Sequence, residues 1–501
     1  MLRRFRLADG GGHRLFVLAL AIALVVRVVA MVAYWPAFVI SDGPTYLEVS
    51  RDLAPSPDRV VGYSAVLRVL SWVFDSVWFV AVVQHLLGLV TAVVVYALLR
   101  RRGCSALVAT LATLPVLLDG MQLVLEQSVL SDEVYQLVLV AGIALLLWRP
   151  RPRTVEVALA GLVLGLSVLV RVGGEPAVLS AVLLVVLVGQ GWRTKAVHAL
   201  VVVAAFASPL LVYAAWYDSS NGALALTQSG GRALYMRTTS FVDCSRLSLP
   251  AYERPLCPEE PLGHRLDPTW YGWHDPDGYH GLVDLPDGQT PDQVMRDFGV
   301  RAIRAQPADY LKVVWRDVAY GFASDRVDRY GYDTADKWRF DGWYGYQPSD
   351  WTGPAYLAHG GQLPHTTGPL ARLMSRYGEH VFLPGPVLAL LLVGAAAGLA
   401  RRRRDGGIEQ RPAILLLLTL GVGLVLVPDL TAEFVWRYTL PMVTLVPPAA
   451  ALAWTQLRSR RPRDAGDAED RLAEGWDDAA LEGPGDRDDD LVVDRDESGV
   501  R

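Results

Sequence analysis

Residues 15–34 read LFVLALAIALVVRVVAMVAY, an apolar run that contains a single charge, Arg27. A helix of about 20 such residues is long enough to cross a hydrocarbon core of roughly 30 Å. Four arginines precede the run, and Tyr34-Trp35-Pro36 ends it without the small-residue cleavage site of a signal peptide. We therefore predict a first transmembrane helix that is retained.

Further apolar runs follow along the 501-residue chain, which is 52% hydrophobic and has a positive mean hydropathy. Nine of these runs are candidates for membrane helices, and they cover residues 77–99, 105–118, 130–148, 155–170, 176–189, 196–216, 383–400, 413–427 and 438–454. Together with the first run, they predict an all-α polytopic membrane protein with about ten transmembrane helices.

The charges of the loops indicate which side each loop faces. Arginine and lysine are concentrated in every second loop, at residues 100–102, 149–153, 193–195, 401–411 and 458–463. Cytoplasmic loops carry such an excess of positive charge, so both chain ends are expected inside. The loop at 35–76, the short loops around Asp119, Gly173 and Asp429, and the long segment at 218–382 then face outward.

This topology divides the chain into four parts. Residues 1–217 form an N-terminal membrane region of about seven helices, whose first outer loop is 35–76. Residues 218–382 form an extracytoplasmic, mostly α domain inserted between helices seven and eight. Residues 383–457 supply the last three helices, and residues 458–501 form an acidic cytoplasmic tail that we expect to be disordered.

The cysteines and the charge balance limit the environment and the partners. Cys244 and Cys257 lie in the long outer segment, close enough in sequence to form a disulfide in an oxidising compartment. Cys104 is expected as a free thiol at the cytoplasmic end of the third helix. The net charge of −5 reflects the acidic tail rather than the membrane region, and no nucleic-acid partner is expected.

Acidic residues stand at the start of two predicted outer helices. The first outer loop begins Ser41-Asp42-Gly43-Pro44, and Pro44 suits the first turn of a helix. The fourth membrane helix opens with Asp132-Glu133. Such carboxylates can take part in chemistry, and they can equally cap free backbone N–H groups at a helix start. From the residues alone both interpretations stay open.

Four basic side chains lie within the predicted membrane helices or at their outer ends. Arg27 lies well inside the first helix, where a cation costs about 2.5 kcal/mol or more and needs a partner or a watery cavity. His85 lies similarly inside the second helix. Arg171 and Arg437 lie at outer helix ends, either as interface anchors or as cations that face an anionic lipid headgroup.

Other function classes find less support in the sequence. It contains no P-loop, dinucleotide-binding fingerprint, Gly-x-Ser-x-Gly elbow or clustered His/Cys metal ligands, which argues against an ATP-driven pump. An aromatic and acidic stretch at residues 330–351 suits sugar rings or a membrane interface. A transporter or lipid flippase and a non-enzymatic cell-envelope scaffold stay open as alternatives.

Several short motifs, in their order and sidedness, resemble those of the GT-C superfamily of membrane glycosyltransferases, which use polyprenyl-phosphate sugars. Protein O-mannosyltransferases and aminoarabinose transferases belong to this group. The motifs are Arg27, Asp42 with Tyr46, Leu130-Ser131-Asp132-Glu133-Val134-Tyr135, Leu169-Val170-Arg171, Ala302-x-x-x-Gln306-Pro307-x-x-Tyr310-Leu311 and Arg437-Tyr438-x-x-Pro441.

The resemblance implies roles for particular residues. The first outer loop becomes the catalytic loop, with Asp42 as the base, and Asp132 or Glu133 is expected to assist. Attack on the side opposite the phosphate predicts inversion at the anomeric carbon. The side chains expected to contact substrates are Tyr46, Arg27, His85, Arg171, Arg437 and Tyr438.

The resemblance also implies partners and a location. The donor is a polyprenyl-phosphate sugar lipid, and the acceptor is an envelope glycan, protein or lipid whose identity the sequence leaves open. The expected location is the cell membrane, with an extracytoplasmic active site. A divalent cation stays open as a cofactor, and no metal ligands are assigned.

Overall fold

The structure is a computed structural model that describes residues 12–276, 278–282, 285–326, 335–340, 352–402 and 407–458. These residues are mostly helical, in agreement with the predicted all-α class. The predicted disordered tail and most of the aromatic stretch at 330–351 lie outside the described residues.

The α-helices are α1 (Gly12–Ala33), α2 (Gly43–Asp52), α3 (Gly62–Ser71), α4 (Val77–Arg101), α5 (Ala106–Leu118), α6 (Gly120–Gln127), α7 (Asp132–Leu147), α8 (Thr154–Val170), α9 (Pro176–Val188), α10 (Gly191–Asn221), α11 (Gly230–Thr239), α12 (Pro268–Trp273), α13 (Pro291–Ala305), α14 (Pro307–Tyr320), α15 (Gly353–Ala358), α16 (Gly368–His380), α17 (Gly385–Ala400), α18 (Arg411–Thr431) and α19 (Leu440–Leu457). Short 3-10 helices cover Cys244–Arg246, Ala251–Leu256, Tyr279–Gly281, Ala335–Trp338 and Trp436–Thr439. The strands β1 (Tyr34–Trp35) and β2 (His365–Thr366) pair antiparallel, with Tyr34 opposite Thr366.

Several helices are long and apolar enough to cross a membrane. Within the described residues these are α1, α4, α10, α18 and the segment Trp436–Leu457, which includes α19. The pairs α5–α6 and α16–α17 also qualify when each pair counts as one span bent by 48° or 45°. The structure thus offers five to seven candidate spans. All ten predicted apolar runs lie on helices, and ten crossings stay a prediction.

The region between α5 and α7 differs from the expected outer loop. Residues Gly120–Gln127 form the helix α6, and all of them are buried. Pro115 lies near the end of α5, where proline disturbs helical hydrogen bonding. The Asp119 carboxylate then accepts a hydrogen bond from the Met121 backbone N at 2.9 Å, and this cap starts a new helix in a different direction.

Small residues let two membrane helices approach each other closely. Gly161 and Gly165 lie four residues apart on α8 and face α10. A Cβ atom at either position would collide with the backbone carbonyl of Val202 or of Phe206. Van der Waals contact through small residues is a main source of helix association in membranes, so this face fixes how α8 and α10 pack.

The segment between α10 and α17 contains a small core of its own. Buried apolar side chains of α11 and α13, among them Tyr235 and Phe298, pack together there. Cys244 and Cys257 are joined by a disulfide within this segment, while Cys104 is a free, buried thiol. The segment therefore has both an apolar core and a covalent crosslink.

Two buried arginines of this segment form ion pairs and connect it to α18 and to the start of α6. Arg237 of α11 forms a fully buried pair with Asp317 of α14, with 2.8 Å between Nη1 and Oδ2. The same Nη1 donates to the backbone carbonyl of Asp429 in α18 at 3.0 Å. Arg326 pairs with Asp119 at 3.1 Å, next to the start of α6. Buried pairs lose much free energy when one partner is removed, so they hold the two regions in register.

Candidate active site

Asp42 directly precedes α2, in a turn that presents its side chain to the interior of the site. Ser41 adopts a positive φ of 53°, a conformation uncommon for a residue with a side chain. Pro44 lies in the first turn of α2, as the sequence predicts. The Asp42 carboxylate makes no capping hydrogen bond to α2. It points instead to two arginines, so the capping interpretation does not describe this residue.

Asp42 is held between two guanidinium groups. Its Oδ1 lies 2.6 Å from Nη2 of Arg59, and its Oδ2 lies 2.9 Å from Nη2 of Arg437. Burial alone would raise the pKa of the carboxyl, but the charges of Arg59 and Arg437 outweigh burial and hold that pKa well below its usual range. Asp42 is therefore ionised at neutral pH.

Asp132, at the start of α7, also lies near Arg437. Its Oδ2 is 3.2 Å from Nη1 of Arg171 and 3.9 Å from Nη1 of Arg437. Ser131, the preceding residue, lies 3.2 Å from the Tyr46 hydroxyl through its Oγ. Arg437 thus connects the first outer loop with the start of α7, across 395 positions of sequence in the case of Asp42.

Arg437 has hydrogen-bonding capacity left over. Its Nε and Nη1 are buried and have no hydrogen-bond partner among the described residues. The guanidinium groups of Arg171 and Arg437 lie over the Tyr438 ring, at 5.2 and 5.5 Å from its centroid. Two cations on one aromatic ring, with free N–H donors, form a seat suited to an anion.

The structure brings together six of the residues that the sequence singled out, and it separates three others. The clustered residues are Asp42, Tyr46, Asp132, Arg171, Arg437 and Tyr438.

Arg27, His85 and Glu133 belong to a different polar network, buried among the membrane helices. Glu126 of α6 lies 2.6 Å from Nη2 of Arg27 and 2.7 Å from Nδ1 of His85. The pairing with Glu126 explains how the Arg27 cation can lie inside α1. Glu133 is fully buried and accepts a hydrogen bond from Gln122 at 2.5 Å. These residues contact one another rather than the Asp42 cluster.

An apolar cavity of about 500 Å³ lies between α7, α18 and α19. Asp132, Arg171, Arg437 and Tyr438 line part of its wall, together with Glu175 and other polar side chains. The apolar part of the wall is formed by Leu139, Leu424, Val427, Pro428, Leu440 and Pro441. A cavity with this division accepts a molecule with an anionic head and a hydrocarbon tail.

Two further cavities carry several charged side chains and share Asp42 and Arg59. The central cavity, of about 160 Å³, is lined by Asp42, Arg59, Trp273, Arg437 and Tyr438, among others. The outer groove, of about 920 Å³, runs along the face of α2 and carries three further carboxylates, those of Glu48, Asp52 and Asp58.

Asp42 lines the central cavity and the outer groove, whereas Asp132 and Arg171 line the apolar cavity. Arg59 borders all three spaces, and Arg437 borders the apolar and the central one. The two carboxylates of the cluster therefore face different compartments. Asp42 can meet a hydrophilic molecule, while Asp132 lies beside the seat for an anion.

The donor set does not fit a divalent cation at Asp42. Both carboxylate oxygens of Asp42 are engaged by arginines, which would repel a metal ion. Among the described residues there is no group of three or more His, Cys, Asp or Glu side chains arranged to hold a metal.

Sequence reasoning missed several residues of the site. Arg59 pairs with Asp42 and lies over Trp273, 5.3 Å from the ring centroid. Trp273 and Trp338 reach the central cavity from the long outer segment. A usable signal existed for Arg59, because it is a cation in the same short loop as the predicted base. Trp338 belongs to the aromatic stretch at 330–351 that the sequence had marked as suited to sugar rings, whereas nothing in the local sequence marks Trp273.

A family model matches part of the chain. A family model described as dolichyl-phosphate-mannose-protein mannosyltransferase matches residues 67–227. The predicted resemblance to membrane glycosyltransferases that use polyprenyl-phosphate sugars is thereby confirmed over this part of the chain. The matched stretch includes Asp132 and Arg171 and does not include Asp42 or Arg437.

Among solved structures, the chain is similar to the archaeal oligosaccharyltransferase AglB from Archaeoglobus fulgidus, in complex with an inhibitory peptide and a dolichol-phosphate. The identity is 14% and the TM-score 0.43. The match covers 97% of this chain and 53% of that one, so this chain spans about half the length of the solved protein. No curated protein matches the chain.

Proposed function

We propose that this chain is a glycosyltransferase that moves a sugar from a polyprenyl-phosphate donor to an acceptor hydroxyl, with inversion and with Asp42 as the base. The observation that carries the proposal is the position of Asp42. It lines the central cavity and the wide outer groove, and its partner Arg437 also lines the apolar cavity with the anion seat. A lipid-linked donor and a hydrophilic acceptor can therefore approach one carboxylate from two sides.

The donor occupies the apolar cavity in this proposal. The proximal part of the polyprenyl chain contacts the leucine, valine and proline side chains, where burial of apolar surface contributes about 25 cal/mol per Å². The phosphate lies at Arg171 and Arg437, and the free Nε and Nη1 groups of Arg437 donate to its oxygens. The sugar then extends into the central cavity, toward Asp42.

Asp42 acts on the acceptor hydroxyl, which enters from the outer groove. As the hydroxyl oxygen bonds to the anomeric carbon, Asp42 accepts the proton, and the bond between the anomeric carbon and the phosphate oxygen breaks. The phosphate leaves with the electron pair, and Arg171 and Arg437 stabilise the charge that it gains. A phosphate is a weakly basic leaving group, so no general acid is needed. Attack opposite the phosphate inverts the anomeric configuration.

Donor binding also raises the basicity of the Asp42 carboxylate. In the structure, Arg437 is shared between Asp42 and Asp132. A phosphate beside Arg437 competes for the same guanidinium and weakens its hold on Asp42. The carboxylate then becomes a stronger proton acceptor when the donor is in place. Arg59 remains beside Asp42 and keeps it ionised between turnovers.

The proposal includes the topology that the loop charges predict. The chain crosses the cell membrane about ten times, with residues 218–382 forming an extracytoplasmic domain between the seventh and eighth crossings. The first outer loop, 35–76, carries the base, so transfer takes place on the outer side. The acceptor is then an envelope glycan, protein or lipid.

The direct test measures transfer of radiolabelled sugar from synthetic polyprenyl-phosphate sugars to envelope fractions. Asp42→Asn keeps the shape of the side chain and removes its basicity, and we expect transfer to fall by about 100-fold or more. Asp297→Asn, at an exposed position of α13, is the matched control and should transfer normally.

Two results would contradict the proposal. Normal transfer by a folded Asp42→Asn protein would exclude Asp42 as the base. Movement of labelled lipid between leaflets, without transfer from any donor, would favour the flippase alternative over the enzyme.

A further inference from the structure

Gln136 and Thr444 lie on the wall of the apolar cavity and are bonded to each other. Nε2 of Gln136 donates a hydrogen bond to Oγ1 of Thr444 at 2.6 Å. The Thr444 hydroxyl in turn donates to the Leu440 carbonyl at 2.9 Å. Both side chains are buried, where a polar group that loses its partner is costly. The bond therefore joins α7 to α19 at a defined spacing.

Helix geometry places this bond directly behind the anion seat. Gln136 follows Asp132 by four residues, so both lie on the same face of α7. Thr444 follows Arg437 by seven residues, about two turns along the segment Trp436–Leu457. The two segments thus meet twice. They meet once where Asp132 Oδ2 lies 3.9 Å from Arg437 Nη1, and once through the hydrogen bond.

A third helix holds Gln136 in this orientation. Nε2 of Gln136 also donates to Oε1 of Gln122 in α6 at 3.0 Å. Gln122 is itself bonded to the carboxylates of Glu126 and Glu133, at 2.9 and 2.5 Å. Gln136 cannot turn into the cavity without breaking these bonds. Its hydrogen bonds to α6 and α19 therefore hold the Gln136 amide in one orientation.

We infer that Gln136 and Thr444 are positioning residues for the donor phosphate. Their hydrogen bond sets α7 against α19 and so sets the position of Asp132 relative to Arg437. Asp132 pairs with Arg171, and Arg171 and Arg437 hold the phosphate in the proposed function on which this inference rests. The pair acts through those side chains and does not touch the reacting atoms. Its loss widens or shifts the anion seat while the apolar cavity stays intact.

The test separates phosphate recognition from lipid binding. Full-length protein in lipid nanodiscs is titrated with polyprenyl phosphate and with the uncharged polyprenol of the same chain length. Thr444→Val keeps the side-chain shape and removes the hydroxyl. We expect it to weaken polyprenyl-phosphate binding about tenfold, because a displacement on the order of 1 Å can cost up to about 100-fold. Polyprenol binding should not change, and Thr444→Ser, which keeps the hydroxyl, should bind both lipids like the wild type.

Thr419→Val is the matched control. Thr419 makes the same kind of bond between helices, 3.0 Å to Ser180 Oγ, but between α18 and α9 and away from the cavity wall. It should leave the preference for the phosphate unchanged. The inference is wrong if Thr444→Val weakens the binding of both lipids equally, or if Thr419→Val weakens polyprenyl-phosphate binding as much as Thr444→Val does. In either case the bond between Gln136 and Thr444 is only structural. A wild type that binds polyprenol as tightly as polyprenyl phosphate would overturn the proposed donor, and the inference with it.

Discussion

The two arginines that hold Asp42 differ in what else they contact. Arg437 also faces Asp132 and the apolar cavity, whereas Arg59 belongs to the same loop as Asp42 and borders all three cavities. In the proposed reaction Arg437 is shared with the phosphate while Arg59 stays with the carboxylate. Arg59 is therefore the residue that keeps the base deprotonated under acidic conditions.

This assignment predicts a pH effect. Arg59→Gln removes one of the two charges that lower the pKa of Asp42, so that pKa rises. Only the deprotonated carboxylate accepts a proton, so the acid limb of kcat/KM moves to higher pH, by about one to three pH units. The measurement is the pH profile of kcat/KM for sugar transfer, from pH 8 down to the lowest pH at which the protein stays folded.

The control is Arg51→Gln, an exposed arginine near the end of α2. It should leave the acid limb where it is. An unchanged limb in Arg59→Gln, or a limb that moves to lower pH, would show that Arg59 does not tune the base.

At this scale the sequence could name carboxylates but could not say which way they point. Asp132 and Glu133 are consecutive on one helix, so their side chains leave it about 100° apart. Asp132 faces Arg171, while Glu133 faces Gln122 in the buried network. The choice depends on the rotation of α7 against its neighbours, and no local pattern records that rotation.

Helices were predicted well where they are long and apolar, and poorly where they are short and polar. The runs that became α4, α8 and α10 are nearly free of charge, so their type follows from composition. The helix α6 was missed because Glu126 and Gln127 look like loop residues. Their partners, Arg27 and His85, lie far away in the sequence, so the pairing that permits burial was not visible locally.

The packing of α8 on α10 gives a prediction at the scale of elements. Gly165→Leu introduces a side chain where a Cβ atom already meets the backbone carbonyl of Phe206. Overpacking typically costs about 1–3 kcal/mol, and more where backbone is the obstacle. We expect a clearly lower midpoint of thermal unfolding in detergent.

Gly394→Leu is the matched control, because a Cβ at Gly394 of α17 meets nothing within 4 Å. It should unfold like the wild type. Equal midpoints for the two variants would mean that α8 and α10 do not pack through this glycine face.

The site is assembled from parts of the chain that lie far apart. The first outer loop supplies Asp42 and Arg59. The start of α7 supplies Asp132, and Arg171 directly follows the end of α8. The segment before α19 supplies Arg437. The order and sidedness of the motifs predicted this convergence. The sequence could not predict the cavities, because their walls combine five or more separate elements.

Sidedness is testable in intact cells, because the native cysteines do not interfere. Cys104 is buried, and Cys244 and Cys257 are bonded to each other. We expect Asp297→Cys, in the proposed outer domain, to react with a membrane-impermeant maleimide added outside. Arg193→Cys, in a proposed cytoplasmic loop, should react only after permeabilisation. The reverse pattern would place the site inside and contradict the proposed location.

The separate cavities that meet at Arg59 determine the order in which the two substrates can bind. A lipid in the apolar cavity leaves the outer groove accessible, and an acceptor in the groove leaves the apolar cavity accessible. Neither molecule has to depart before the other arrives. The proposed enzyme therefore passes through a ternary complex that either substrate can begin, without a covalent sugar–protein intermediate, and each product leaves by the side from which its parent entered.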